Sequence, residues 1–195
     1  MQISLIRHGR SSYNEMRPLS SNQFSDWVRG YDQGGVEEEE EYPSETLQRV
    51  MEAKLVVTSD LKRAKHSASL LGIETSLENA LFREVELPEL SILSPPMNPS
   101  VWAIVFRCLW FAGYSKNCES YRHAKRRAKK ASQVLMDYAK KHESVALIGH
   151  GFFNQLIANE LRKHGWEGKK RSDKKHWSCT TYFLENRVIE TERVL

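Results

Sequence analysis

Short apolar runs alternate with amphipathic stretches along most of the chain. Residues 3–6 (ISLI), 54–60 (KLVVTSD) and 144–149 (SVALIG) are brief runs of the kind that fills a strand buried on both faces. Between them, apolar residues recur at three- and four-residue spacing. Phe24, Trp27, Val28 and Tyr31 predict a helix over 20–32 that ends before Gly34 and Gly35. Residues 44–53 (SETLQRVMEA) read as a helix with Ser44 as its cap and Leu47, Val50 and Met51 turned inward. Residues 61–72 read as a further helix closed by Gly72. The stretch 74–87 predicts short strands or an extended connection. After the breaker SPPMNPS, residues 101–111 (VWAIVFRCLWF) predict an apolar helix ended by Gly113, and 119–142 a long basic amphipathic helix. A helix over 152–165 follows the last apolar run. Residues 176–185 and 187–195 predict a closing antiparallel pair that turns at Asn186.

Strands that alternate with helices predict a three-layer α/β/α sandwich around a mostly parallel sheet. At 195 residues the chain fits a single domain, 1–195, and residues 93–118 read as an insertion that acts as a cap or lid over one end. The 40% apolar and 28% charged fractions are those of an ordinary globular protein. No apolar run approaches membrane-spanning length, and MQISLIRHGR has no basic lead into a signal-peptide core. Secretion by a standard signal and stable membrane insertion are therefore not expected. Cys108, Cys118 and Cys179 form an odd, widely spaced set with no C-x-x-C pair, which predicts reduced thiols and a cytoplasmic setting.

Charge adds an asymmetry. Residues 1–100 hold 10 Lys+Arg against 16 Asp+Glu, whereas 101–195 hold 19 against 9. The basic stretches 121–130 (YRHAKRRAKK) and 162–175 (RKHGWEGKKRSDKK) read as solvated surface. No aromatic-rich RNA-binding strand or zinc-finger spacing accompanies them, so nucleic acid is not an expected partner. His123, His142, His164 and His176 sit among charges and are expected to face water.

The candidate chemistry lies in an echo. ISLIRHGRSSYNE (3–15) and VALIGHGFFNQLI (145–157) each place His-Gly directly after an apolar run and before a helical stretch. In open α/β folds ligands collect at the carboxyl ends of the strands, where helix N-termini offer free N–H groups to anions. His8 and His150 both fall at that edge, and Arg63 lies in the first turn of the helix after KLVVTSD. Two histidines and two arginines on one edge describe a pocket for a dianion such as phosphate. Arg7 and Arg63 can grip phosphate oxygens in forked geometry. A neutral imidazole nitrogen of His8 can attack phosphorus, while the flanking cations and His150 help to keep it unprotonated. Glu84 is the best-placed carboxyl to protonate a leaving alkoxide, with Glu86 as the alternative. Arg63 could instead pair with Asp60 or Glu84. Trp102, Phe106, Trp110 and Phe111 could line an apolar substrate pocket, but such a stripe reads first as core packing or a lid.

At these residues the sequence closely resembles the histidine phosphatase superfamily, branch 1, the phosphoglycerate mutase-like group. LIRHGRSSYNE, TSDLKRAKHSA, LFRE and ALIGHGFF carry the family's motifs in order between residues 5 and 153. The resemblance implies the phosphoglycerate mutase-like sandwich, with His8 as the phosphorylated nucleophile. It implies a phosphate pocket of Arg7, Arg63 and His150 with Asn14 beside it, and Glu84 as proton donor. The pattern departs from the family where Ser11 and Ser12 replace the commoner Glu-Thr or Glu-Ser. His66 stands where glutamine is common, which leaves its role open. No metal or organic cofactor is implied, and the expected partner is a small phosphorylated substrate. The short interval from Glu84 to His150 favours a phosphatase over a mutase. A phospho-ligand binding module without turnover is the reading from a different class.

Overall fold

In the computed structural model, residues 1–185 are described apart from Thr75, Ser91, Leu93 and Lys174. The elements in chain order are β1 (Gln2–Arg7), α1 (Ser21–Gln33), α2 (Ser44–Met51), β2 (Leu55–Thr58), α3 (Lys62–Leu70), β3 (Leu77–Glu78), α4 (Pro99–Phe111), α5 (Tyr121–His142), β4 (Ser144–Gly149), α6 (Gly151–Lys163) and β5 (Cys179–Phe183). A single 3-10 turn, Ala80–Phe82, follows β3. The sheet order is β3-β2-β4-β1-β5, with the first four strands parallel and β5 antiparallel to β1.

The period-two alternation of the strands builds the three layers. Ile3 and Leu5 of β1, Val57 of β2 and Val145 and Leu147 of β4 pack against α5 and α6. Ile6, Val56, Ala146 and Ile148 face the other way, onto Val50 of α2 and Ala68 and Leu71 at α3. Helix α5 approaches the sheet closely because it turns Ala124, Ala128, Ala131 and Ala139 inward. The fold is the predicted α/β sandwich.

Several boundaries differ from the pattern-based reading for local reasons. Ser44 does not cap α2. Pro43 occupies that position, and Ser44 begins the helix and is exposed. Val50 of α2 is buried as expected, but Met51 faces solvent. Helix α4 starts two residues earlier than predicted, because Pro99 occupies its first turn, where a missing N–H costs nothing, and Asn98 caps it by accepting from Ser100 N at 3.0 Å. Helix α3 ends at a left-handed Gly72, as its position in the sequence predicts. The strand expected over 187–195 lies outside the described residues. No helix among the described residues is long and apolar enough to cross a membrane.

Helix α4 lies in the 93–118 segment. Trp102, Phe106 and Trp110 are buried, and Phe106 stacks on Phe24 of α1 at 5.0 Å between ring centroids. The aromatic stripe is therefore core packing. Phe111 is the exception, at 53% exposure.

Candidate active site

Strand register brings the motif residues to one edge. Arg7 pairs with Gly149 and Thr58 with Ile148, so β1, β4 and β2 end within a residue of one another. His8 follows β1, His150 is the N-cap of α6 after β4, and Arg63 is the second residue of α3 after β2. The His8 and His150 rings lie 5.1 Å apart, edge to face. Arg63 Nε donates to His8 Nε2 at 3.3 Å. The two His-Gly pairs and the guanidinium meet, as the echo predicts.

The proton on His8 is assigned by its partners. Nδ1 lies 2.7 Å from the carbonyl oxygen of Gly9, which can only accept, so Nδ1 carries the hydrogen. Nε2 accepts from Arg63 and so presents its lone pair. Burial, first, and the Arg63 guanidinium, second, hold the His8 pKa well below 6.5, with smaller contributions in the same direction from Arg7 and His176. His176 thus acts on His8 alongside the expected cations. His150 is itself fully buried, and burial, Arg63, His8 and Arg7 push its pKa well down. Its Nε2 lies 2.6 Å from Ser59 Oγ, and its Nδ1 has no hydrogen-bond partner among the described residues.

Gly9 is required by a close approach. A Cβ there would overlap the Trp177 indole, and Gly9 N donates to Ser67 Oγ at 2.9 Å. The Trp177 indole in turn donates to Glu39 at 2.8 Å, which ties the acidic run into the site's support.

Arg63 is 3% exposed and pairs with Asp32 of α1 at 2.5 Å, not with Asp60 or Glu84. Asp60 instead accepts from Nε and Nη2 of Arg83, at 2.7 and 2.6 Å. Glu84 lies at the first turn of α6. Its Oε1 accepts from Phe153 N at 2.9 Å and from Val85 N at 2.9 Å, and its Oε2 accepts from Phe152 N at 3.0 Å. Glu86 is exposed at the rim of the same cavity. Asn14, expected beside the phosphate, is exposed on the loop after β1. His66 accepts from Val36 N at 3.1 Å and braces the turn that enters α2 from α1.

Three contributors escape a reading by motif. His176, expected to face water, is partly buried with its ring 5.8 Å from that of His8, and burial with Arg7 and Arg10 lowers its pKa to about 4. Its signal was topological: the residues that precede an antiparallel neighbour of β1 must lie at the carboxyl end of β1. Arg7 N donates to Ser178 O at 3.0 Å and Trp177 N to Arg7 O at 3.1 Å, which fixes that end. Arg127 belongs to the basic run read as solvated, yet Nη1 donates to the carbonyls of Leu81 and Arg83 at 2.9 and 2.8 Å, and Nη2 pairs with Glu119. It therefore holds the segment that carries Glu84. Its position between Ala124, Ala128 and Ala131 on the inward face was the available clue. Ser59, the partner of His150, had no signal beyond its place at the end of β2.

Above this edge opens a cavity of about 500 Å³, between α1, α4 and the segment 83–87, with Arg7, Arg63, Glu84 and His176 in its lining. The sequence model of the histidine phosphatase superfamily (branch 1) matches residues 3–190. The chain belongs to that superfamily. Solved structures with the same fold include the α-ribazole phosphatase from Shigella flexneri, 16% identical, covering 95% of this chain and 92% of that one at a TM-score of 0.60. A mycobacterial glucosyl-3-phosphoglycerate phosphatase solved with VO3 is 17% identical, with 94% and 96% covered and a TM-score of 0.57. An open-reading-frame product of Mycobacterium tuberculosis is 14% identical, with 95% and 92% covered at 0.57. No curated protein matches the chain by sequence.

Proposed function

We propose that this histidine phosphatase superfamily member is a cofactor-independent phosphatase that hydrolyses a phosphomonoester through a phosphohistidine at His8. The observation that carries the reading is the tautomer of His8. Nε2 carries no proton on a ring that is neutral at pH 7, it accepts from the Arg63 guanidinium, and the His8 and His150 ring centroids lie 5.1 Å apart. A module that only bound phosphate would need the cations but not a nucleophile with its lone pair turned toward them.

The chemistry balances in two steps. His8 Nε2 attacks phosphorus, the ester P–O bond breaks, and the departing oxygen takes a proton from Glu84. A water then attacks the phosphohistidine and passes a proton to the Glu84 carboxylate, and orthophosphate leaves with His8 restored. Arg7 and Arg63 spread the charge that builds on the equatorial oxygens. The unpartnered Nδ1 of the buried His150 supplies a further polar contact for a phosphate oxygen. Oε2 of Glu84 accepts one backbone N–H against two at Oε1, which makes it the oxygen with room for the transferable proton.

In this reading residues 1–195 form one catalytic domain, capped over the cavity by α4. The partner is a small phosphorylated compound rather than nucleic acid. The unbridged cysteines suit a cytoplasmic setting.

The test is a rapid-quench reaction with a ³²P-labelled monoester at pH 7. Acid-labile, base-stable label should appear on the wild-type protein and be absent from His8→Ala, with release of orthophosphate. Turnover of p-nitrophenyl phosphate by wild type with no trapped label would overturn the mechanism. Absence of any turnover from pH 5 to 8 would favour the binding module. Label passed to a second phosphorylated acceptor in preference to water would favour a mutase.

A further inference from the structure

The walls of the cavity say more about the ester than its floor does. Phe24, Trp27 and Tyr31 lie on one face of α1 at three- and four-residue spacing and all line the cavity. Their rings run as a ladder: Phe24 and Trp27 are 5.7 Å apart at 10° between planes, and Trp27 and Tyr31 are 5.4 Å apart at 20°. The ladder begins at the phosphate edge, because the Tyr31 ring lies 4.9 Å from the Arg63 guanidinium carbon. Leu87 and Ala103 stand in the lining contributed by the segment after Glu84 and by α4.

Several polar groups near this ladder are already taken, while Nη1 of Arg107, in the same lining, has no hydrogen-bond partner among the described residues. The Trp27 indole donates to the Glu15 carbonyl at 2.7 Å, Asp32 holds Arg63, Arg83 holds Asp60, and both Glu84 oxygens accept backbone N–H groups. A sugar or polyol bound here would lose water from each hydroxyl and find few free partners, which carries a cost at every unmatched group. A flat apolar ring has no such cost and gains apolar contact with the aromatic and aliphatic side chains of the lining.

We infer that the cavity takes small-molecule aryl phosphates, monoesters whose ester oxygen sits directly on a flat apolar ring system of one or two fused rings. This inference rests on the phosphatase reading, which sets the phosphate on Arg63 and His8. The net reaction is then aryl phosphate plus water to the phenol plus orthophosphate. An aryloxide also departs with less protonation than an alkoxide, since phenols ionise near pH 10. That agrees with a Glu84 whose oxygens are engaged by backbone N–H groups.

Phosphonates, which bind without turnover, separate recognition from leaving-group reactivity. Competitive inhibition should be compared for methylphosphonate, 1-naphthylmethylphosphonate and the phosphonate analogue of glucose 6-phosphate. The naphthyl compound is expected to bind about 30-fold or more tighter than methylphosphonate, and the sugar analogue no tighter than methylphosphonate. Trp27→Leu should remove about tenfold of the naphthyl advantage and leave methylphosphonate unchanged. Ala103→Gln, on the facing helix, should narrow the slot with the same selectivity and guards against a folding defect in the first variant. Equal binding of all three compounds, or preference for the sugar analogue or for adenosine 5′-monophosphate, would overturn the inference while methylphosphonate binding and trapped phosphoenzyme still upheld the phosphatase. If methylphosphonate does not bind and no phosphoenzyme forms, both fall together.

Discussion

Glu84 accepts the backbone N–H of Phe153 at 2.9 Å, so the carboxyl carried by the segment after β3 is held against the helix that His150 opens. Sixty-nine residues of sequence separate the two groups. This contact joins the proposed proton donor to the proposed phosphate pocket as one rigid unit. It also makes the role of Glu84 separable by leaving group. Glu84→Gln keeps an acceptor for the helix but cannot pass a proton, so kcat for an alkyl monoester should fall by about 10²–10⁴-fold. Turnover of p-nitrophenyl phosphate should fall far less, and an equal loss on both esters would argue against proton donation.

Arg127 holds the backbone that carries Glu84. Arg127→Met should leave the carbonyls of Leu81 and Arg83 without their donor and the half-buried Glu119 without its pair, at a cost of about 2 kcal/mol. Thermal melting would read this as a drop of roughly 4–8 °C. The loss in kcat should again be larger for poor leaving groups, which a purely structural role would not produce.

Asp32 competes with phosphate for Arg63. Asp32→Asn removes the carboxylate 2.5 Å from the guanidinium, so orthophosphate should inhibit the variant about three- to tenfold more tightly. The effect is modest because Asp32 is partly exposed and screened. It should shrink further as salt is raised.

The histidines predict a direction for pH. The pKa values of His8 and His150 lie well below 6.5 in the folded state, and that of His176 lies at about 4. The unfolded chain therefore binds protons first as pH falls, and stability is lost from about pH 6.5 downward, through pH 4 for His176. Each group contributes a slope of up to about 1.4 kcal/mol per pH unit within its window. Urea midpoints at pH 7, 6 and 5 should decline, and His176→Gln should flatten the decline. Because His8 stays neutral, kcat should not lose its nucleophile between pH 8 and 6.5.

Asn14 stands exposed on the loop after β1. Asn14→Ala should change kcat/KM by less than about threefold, measured beside Arg63→Ala, which should cost at least 10²-fold.

Much of this was legible in the chain. The buried runs at 3–6 and 144–149 pointed to strands because they are short, bounded apolar runs of the kind that fills a strand buried on both faces. His-Gly after each run then placed both imidazoles at the same edge, since parallel neighbours share their carboxyl ends. The apolar stripe of α4 was readable as a helix but left open between core and lid, since helical spacing marks an apolar face without saying what covers it. What only the tertiary structure decided was the identity of partners far apart in sequence. That Arg63 pairs with Asp32, that Arg127 leaves the solvated run to hold residues 81–83, and that His176 turns onto His8 depend on side-chain reach across packed elements. No local pattern carries that information, because a charge or an imidazole on a surface and one in a site obey the same spacing, and burial alone tells them apart.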